Sequence, residues 1–285
     1  MPEATLLIHG GAGPKREGTD DEAIKKDLHE ALKIGADVLK QNGPAMEAVM
    51  AAVLTLEDSP HFNAGKGAVL NENGLTRFDA SVMDGQSMRA GAVGNLPLVR
   101  NPIRLAHRVM EVCDHILISG DEALAFAEKE GLPIEKESYF LTDLRYQQWK
   151  AVREQEIDEK DAPQSGTVGA VALDNQGNLA AATSTGGKTF KRHGRIGDSA
   201  IIGAGTYAGP DCAISCTGDG EYFMLLNSAH AIAADLRHNE GSLADACEKA
   251  LNDLEGLGGH GGLIALDKAG NISMPFRAQR MYRGR

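Results

Sequence analysis

Long apolar runs are missing from this chain, and none of its hydrophobic segments approaches membrane-span length, so a membrane protein is not expected. Cysteine is scarce. The four residues, Cys113, Cys212, Cys216 and Cys247, form neither a C-x-x-C pair nor a histidine-flanked ligand set. That spacing argues against a zinc site or a disulfide framework and suits a reducing, cytoplasmic setting. Basic charge is in deficit: 29 Lys and Arg against 40 Asp and Glu leave a net charge of -11, which makes nucleic acid or an anionic membrane surface an unsuitable partner. No basic segment followed by an apolar stretch precedes the strand-like Thr5-Leu6-Leu7-Ile8, so an unexported, soluble protein is expected.

Glycine, by contrast, is abundant at 34 of 285 residues, and it collects at the ends of apolar runs, where turns and backbone-built sites need it. After the first strand and a Gly10-Gly11-Ala12-Gly13 loop, helical spacing runs from Asp20 to Gln41 and from Pro44 to about Leu56. Strands are expected around Ala68–Leu70, Leu75–Met83 and Met88–Val93, the first two joined by the turn sequence Asn71-Glu72-Asn73-Gly74. Helix, strand and helix follow over Pro102–Val112, His115–Ser119 and Asp121–Glu130. From about Glu135 to Gly166 charge dominates and the segment reads as a solvent-exposed linker. Two similar hairpins, starting at Gly169 and Gly261, bracket helices expected over Gly220–Arg237 and Leu243–Leu254. Strands and helices in separate blocks, without a steady βαβ rhythm, predict an α+β protein with two sheets face to face and helices outside.

The run Gly166-Thr167-Val168-Gly169-Ala170-Val171-Ala172-Leu173-Asp174 places a threonine after a glycine at the head of an apolar strand, just behind the charged segment. Cleavage before Thr167 would free an α-amine that titrates near about 7.7 in model peptides and sits within reach of the hydroxyl as its general base. Gly166 tolerates the strained carbonyl geometry that hydroxyl attack needs. The simpler reading of this stretch is a buried strand threonine that starts a hairpin.

Other motifs lead nowhere. Gly203-Ala204-Gly205 follows a strand-like segment but runs into Gly209-Pro210-Asp211, a turn, where a dinucleotide fingerprint would open a helix. Ala182–Thr189 lacks the first glycine of a phosphate loop. His9-Gly10-Gly11 resembles an esterase oxyanion loop, but no Gly-x-Ser-x-Gly elbow accompanies it, so His9 reads as a structural histidine at a strand end.

Four clusters follow Thr167: Thr183-Ser184-Thr185-Gly186-Gly187, Gly194-Arg195-Ile196-Gly197-Asp198, Gly203-Ala204-Gly205 and Cys216-Thr217-Gly218-Asp219-Gly220-Glu221. With His9–Gly13, Leu56–Gly65 and Met83-Asp84-Gly85, they resemble in order the plant-type asparaginase and isoaspartyl aminopeptidase family of N-terminal nucleophile hydrolases. The resemblance implies a four-layer αββα sandwich, self-cleaved into an α chain of residues 1–166 and a β chain from 167 to 285. It implies Thr167 as nucleophile, Thr185 as its hydrogen-bond partner, and the Thr217 hydroxyl and Gly218 N–H as oxyanion donors. Asn63 would lie near the freed amine. For the zwitterionic substrate it implies Arg195 on the α-carboxylate, Asp198 on the α-ammonium and the Gly220 carbonyl beside it.

No cofactor is implied for the chemistry, but a structural sodium ion is, on the backbone carbonyls of Leu56, Glu57, Ser59, Phe62, Ala64 and Lys66. Substrates would be asparagine and isoaspartyl dipeptides, and two cleaved αβ units would pair. Glycosylasparagine hydrolysis and an uncleaved binding or storage protein are the alternatives. The chain departs from the family at Arg277-Ala278-Gln279-Arg280, which bears on the substrate rim, and at Asp219, which brings a negative charge toward the oxyanion site.

Overall fold

Strand period and helix period separate cleanly along the chain, and the layers follow from that separation. The computed structural model describes residues 3–14, 20–158, 166–239 and 241–285. Strands β1 (Thr5–Gly13), β2 (Phe78–Asp84), β3 (Ala90–Leu96), β4 (Leu117–Ser119), β5 (Val168–Leu173), β6 (Leu179–Thr185) and β12 (Arg280–Gly284) build one sheet, in the order β12-β1-β5-β6-β2-β3-β4. Strands β7 (Thr206–Ala208), β8 (Cys212–Gly218), β9 (Gly261–Asp267) and β10 (Ile272–Ser273) form the second in the order β10-β9-β8-β7, and β11 (Phe276–Arg277) pairs with β9.

Helices α1 (Asp21–Lys40), α2 (Ala45–Asp58) and α3 (Pro102–Val112) cover the outer face of the first sheet; α4 (Gly120–Lys129) packs beside β3. The second sheet is covered by α8 (Ser228–His238) and α9 (Leu243–Gly256). The result is the αββα sandwich. Helix α1 begins where Asp20 accepts a hydrogen bond from the Ala23 N–H at 3.0 Å, and it buries Ile24, Leu28, Ala31 and Leu39 at helical spacing. A Cβ on Gly35 would lie 2.6 Å from Leu6 Cδ2 and 2.9 Å from the Ala48 carbonyl, so only glycine lets α1 pack this closely.

Alternation along the strands sorts the cores. Leu6 and Ile8 of β1, Val168, Ala170 and Ala172 of β5, and Ala180 and Ala182 of β6 face α1–α3. Leu7, Val171, Leu173, Leu179 and Ala181 face the second sheet.

Four sequence expectations change. The Gly10–Gly13 stretch is strand, because β12 pairs with it through Gly13 and a bulge between His9 and Gly11 absorbs the positive φ of Gly11. Ala68–Leu70 forms no strand and makes a single bridge, Leu70 to Thr76, since the Asn71 side chain captures the N–H groups of Asn73 and Leu75 in a tight turn. Helix Gly220–Arg237 divides into α7 (Gly220–Leu226) and α8 because Asn227 adopts a left-handed conformation at φ 47.

The fourth change is the largest. Over residues 135–153 the expected exposed linker carries helices α5 (Glu137–Phe140) and α6 (Asp143–Arg153). Phe140 packs on Phe78 at 4.9 Å between ring centroids, Trp149 is buried, and Arg145 donates to the Gly67 carbonyl at 2.6 Å from a fully buried position. Burying Phe140 alone contributes about 1.5–3 kcal/mol. A few widely spaced anchors hold this segment, which is why charge counting hid it. Residues 159–165 of the expected linker lie outside the described residues.

Candidate active site

The inter-sheet face of the first sheet turns polar at one end. β1 passes from Leu7 to His9, β5 from Val171 to Gly169 and then Thr167, β6 from Ala181 to Thr183 and Thr185, and β2 from Met83 to Ser81 and Asp79. Register brings these ends together: His9 opposes Gly169, and Gly169 opposes Thr183. A cavity of about 710 Å³ opens there, lined among others by Gly166, Thr167, Thr185, Arg195, Asp198 and Gly218.

Thr167 is 8% exposed, and its hydroxyl donates to Thr185 Oγ1 at 3.1 Å. Thr185 Oγ1 also accepts from the Gly187 N–H at 3.0 Å, which fixes it beside the nucleophile candidate. Gly166 can only be glycine here, since a Cβ would stand 2.0 Å from Gly11 Cα. Gly218, at φ 142, is equally constrained, because a Cβ would meet the His260 carbonyl at 2.3 Å. The Thr217 hydroxyl accepts from the Ala12 N–H at 3.2 Å, and its own proton stays available to a second acceptor.

Arg195 and Asp198 share the cavity wall, backed by Gly220, whose Cβ would lie 2.5 Å from Asp198 Oδ1 and 3.1 Å from an Arg195 Nη. Burial raises the Asp198 carboxyl to about 7, with Arg195 pulling the other way, and its Oδ2 meets no hydrogen-bond partner among the described residues. The Gly197 N–H bonds Asp79 at 2.9 Å, which ties this loop to β2.

Two charged residues escaped the sequence reading of the site. Glu221 accepts from Arg195 Nε at 2.9 Å and pairs with Lys188 at 2.8 Å. Burial pushes Glu221 up, but Arg195 and Lys188 overcome it and hold the carboxyl at about 2. Glu221 closes the Thr217–Gly220 cluster, so its opposite charge to Arg195 was the available signal. Asp219 pairs with Lys188 at 3.4 Å and accepts from the His260 N–H at 2.9 Å, so its charge is compensated. Arg277, Ala278 and Gln279 line the cavity, with Arg277 held by Glu248 and Asn252; Arg280 turns away to pair with Asp21.

Asn63 sits elsewhere than on the cavity wall. It is fully buried beneath it, donating to the Gly187 carbonyl at 2.7 Å and accepting from the Val69 N–H at 2.9 Å. It shapes the loop that carries Gly186 and Gly187.

The loop after α2 turns its carbonyls inward around two glycines. A Cβ on Gly65 would meet the Glu57 carbonyl at 2.4 Å, and one on Gly67 the Phe62 carbonyl at 2.1 Å. The Leu56 and Ala64 carbonyls accept from Ser59 and Gly67 N–H groups at 3.3 and 3.2 Å. The Ser59 hydroxyl bonds Asp27, and Lys66 Nζ lies over the Tyr139 ring at 5.5 Å. Uncharged oxygens gathered at a glycine-lined turn are the donor type a hard monovalent cation takes.

An αββα sandwich with a threonine at the head of an inner strand, facing a cavity that Arg195 and Asp198 also line, is the architecture of an N-terminal nucleophile hydrolase. The chain matches the asparaginase family over residues 2–285 and belongs to it. It is 43% identical to the isoaspartyl peptidase of Escherichia coli, over 99% of this chain and 92% of that protein. It is 43% identical to the isoaspartyl peptidase of Salmonella typhimurium, over 99% and 95%. The isoaspartyl peptidase/L-asparaginase of Homo sapiens is 38% identical over 96% of this chain and 92% of its own.

Proposed function

We propose that this chain is a hydrolase that cleaves the side-chain amide of L-asparagine and the β-linked bond of isoaspartyl dipeptides, with Thr167 as an N-terminal nucleophile exposed by self-cleavage after Gly166. One observation carries the reading: Thr167, Arg195 and Asp198 line a single cavity. The nucleophile and a receptor for an amino-acid zwitterion thus share one space.

The freed α-amine of Thr167 takes the hydroxyl proton, and Oγ1 attacks the side-chain carbonyl carbon. Negative charge on the carbonyl oxygen is met by the Gly218 N–H and the Thr217 proton, donors already held in place by the β8–β9 pairing. The C–N bond breaks as the amine returns its proton to the leaving nitrogen, and an ester of Thr167 remains. Water cleaves that ester and releases aspartate. Arg195, with Nε fixed by Glu221, offers its Nη groups to the substrate α-carboxylate. Asp198, as the carboxylate, receives the α-ammonium beside the Gly220 backbone.

A sodium ion on the carbonyls of Leu56, Glu57, Ser59, Phe62, Ala64 and Lys66 would stiffen the loop that carries Asn63, which in turn holds Gly187. It takes no part in bond making. Among the described residues no helix is long and apolar enough to cross a membrane. A cytoplasmic location and a pair of cleaved αβ units complete the proposal.

Purified protein incubated with β-Asp-Leu and, separately, with asparagine should release aspartate from each, while mass analysis finds fragments divided between Gly166 and Thr167. Fully divided protein that releases aspartate from neither would defeat the hydrolase reading. A chain that stays whole and binds without turnover would favour a binding or storage role.

A further inference from the structure

A buried charge at the start of β2 takes no part in the reaction described above. Asp79 is fully buried, and its carboxylate oxygens serve different segments. Oδ1 accepts from the Asn95 N–H at 2.8 Å, and Oδ2 accepts from the Gly197 N–H at 2.9 Å. Asn95 lies where the β2–β3 register shifts, between Phe78 and Ala80, and it adopts φ 48. A bulge leaves a strand N–H without a ladder partner, and Asp79 supplies one. Gly197 stands between Arg195 and Asp198, the side chains that would hold the charged ends of the substrate.

A buried cation accompanies the carboxylate. Lys191 Nζ lies 3.9 Å from Asp79 Oδ2 and donates to the Arg77 carbonyl at 2.9 Å. Burial draws this ammonium down to about 8, and Asp79 opposes the shift. Each charge of the pair therefore relies on the other in the absence of water. A Cβ on Gly187 would stand 2.8 Å from Lys191 Nζ and 3.1 Å from Arg195 Nη1, so the missing side chain there lets both cations stand behind the cavity wall.

The place of Asp79 in the sheet relates this loop to the nucleophile. Across the β2–β6 register it opposes Thr185, whose hydroxyl oxygen lies 3.1 Å from Thr167 Oγ1. Further along the same face of β2, Ser81 Oγ lies 2.6 Å from the Ser199 carbonyl. The strand thus meets the chain on both sides of Asp198, at Gly197 and at Ser199.

We propose that Asp79 is a positioning residue for substrate recognition: by holding the Gly197 N–H, its carboxylate sets the separation between Thr167 and the Arg195–Asp198 receptor. Self-cleavage is independent of this separation, because the Gly166 carbonyl is already joined to Thr167 and no zwitterion has to be bound. The recognition role rests on the hydrolase reading above; the hold of Asp79 on the loop does not.

The test uses the full chain as wild type, Lys191→Met and Asp79→Ala/Lys191→Met. The double variant removes both buried charges together, so neither is left unpaired. In Lys191→Met the carboxylate keeps both N–H donors and stays in the field of Arg195, so KM should remain close to that of wild type. In the double variant KM for β-Asp-Leu should rise about tenfold with kcat within about threefold, as expected when a hydrogen bond to a charged group that supports binding is lost. Division between Gly166 and Thr167 should keep its wild-type rate. Hydrogen exchange read by mass spectrometry over residues 194–199 should be slow in wild type and Lys191→Met and fast in the double variant, with β5 and β6 unchanged. An unchanged KM in the double variant overturns the proposal, as does an equal rise in Lys191→Met. So does a loss of kcat or of self-cleavage as large as the rise in KM, which would mark general damage to the fold. Fast exchange over 194–199 in wild type overturns it whatever the variants do. A wild type that releases no aspartate would instead sink the hydrolase reading, and exchange would still decide whether Asp79 holds the loop.

Discussion

The two ends of the inter-sheet layer are built from the same strands and differ in almost every physical respect. At one end Leu7, Val171, Leu173, Leu179 and Ala181 face Ala213, Ile264 and Leu266 of the second sheet in an apolar core. At the other, a few residues along, the same face presents His9, Thr167, Thr183, Thr185, Ser81 and Asp79, all buried. The apolar end holds the sheets together by removing carbon from water. The polar end adds little of that stabilisation and has to satisfy each donor and acceptor by geometry, since an unpaired buried group costs about 1–3 kcal/mol. Stability and chemistry are thus segregated along the strand axis.

The largest effect expected from breaking this division is at the polar end. Thr167→Ala should leave the chain undivided and lower hydrolysis by about three orders of magnitude or more, with unfolding little changed; turnover assays and intact-mass analysis read both. Efficient division of this variant would contradict the mechanism. At the apolar end the pattern should invert. Leu7→Ala, at a fully buried site, should cost about 2–5 kcal/mol in denaturant unfolding, with kcat per folded molecule close to that of the parent. A comparable loss of kcat would show the two ends to be coupled.

The smallest effect is a pH dependence. Asp198 must be ionised to hold the substrate ammonium, and its carboxyl is raised to about 7. kcat/KM should therefore rise with pH up to about that value and level off above it. Stability moves the other way. A carboxyl whose folded pKa lies above its unfolded one stabilises the fold fully below the unfolded value, and that contribution is lost as pH rises through about 7. A flat kcat/KM profile through this range would remove Asp198 from the ammonium site.

Much of this was legible from residue order. The period of α1 and the paired hairpins are local signals, and the fold places them as expected; the Gly166-Thr167 step and the Arg195–Asp198 spacing are local too, and the fold sets Thr167, Arg195 and Asp198 along one cavity. The misreadings share a cause. The 135–153 segment looked solvated because its anchors, Phe140, Arg145 and Trp149, find their partners far away at Phe78, Gly67 and Gly74. Glu221 was passed over because its pairing with Arg195 spans 26 positions of chain.

By itself the sequence determined the alternation of strand faces, the period of the long helices and the residues whose chemistry suits acyl transfer, because these depend on neighbours a few positions apart. Only the tertiary structure decided that the polar ends of four strands coincide and that Glu221 and Lys188 compensate the charges on the cavity wall. Those are properties of distance between chain segments that the sequence keeps far apart.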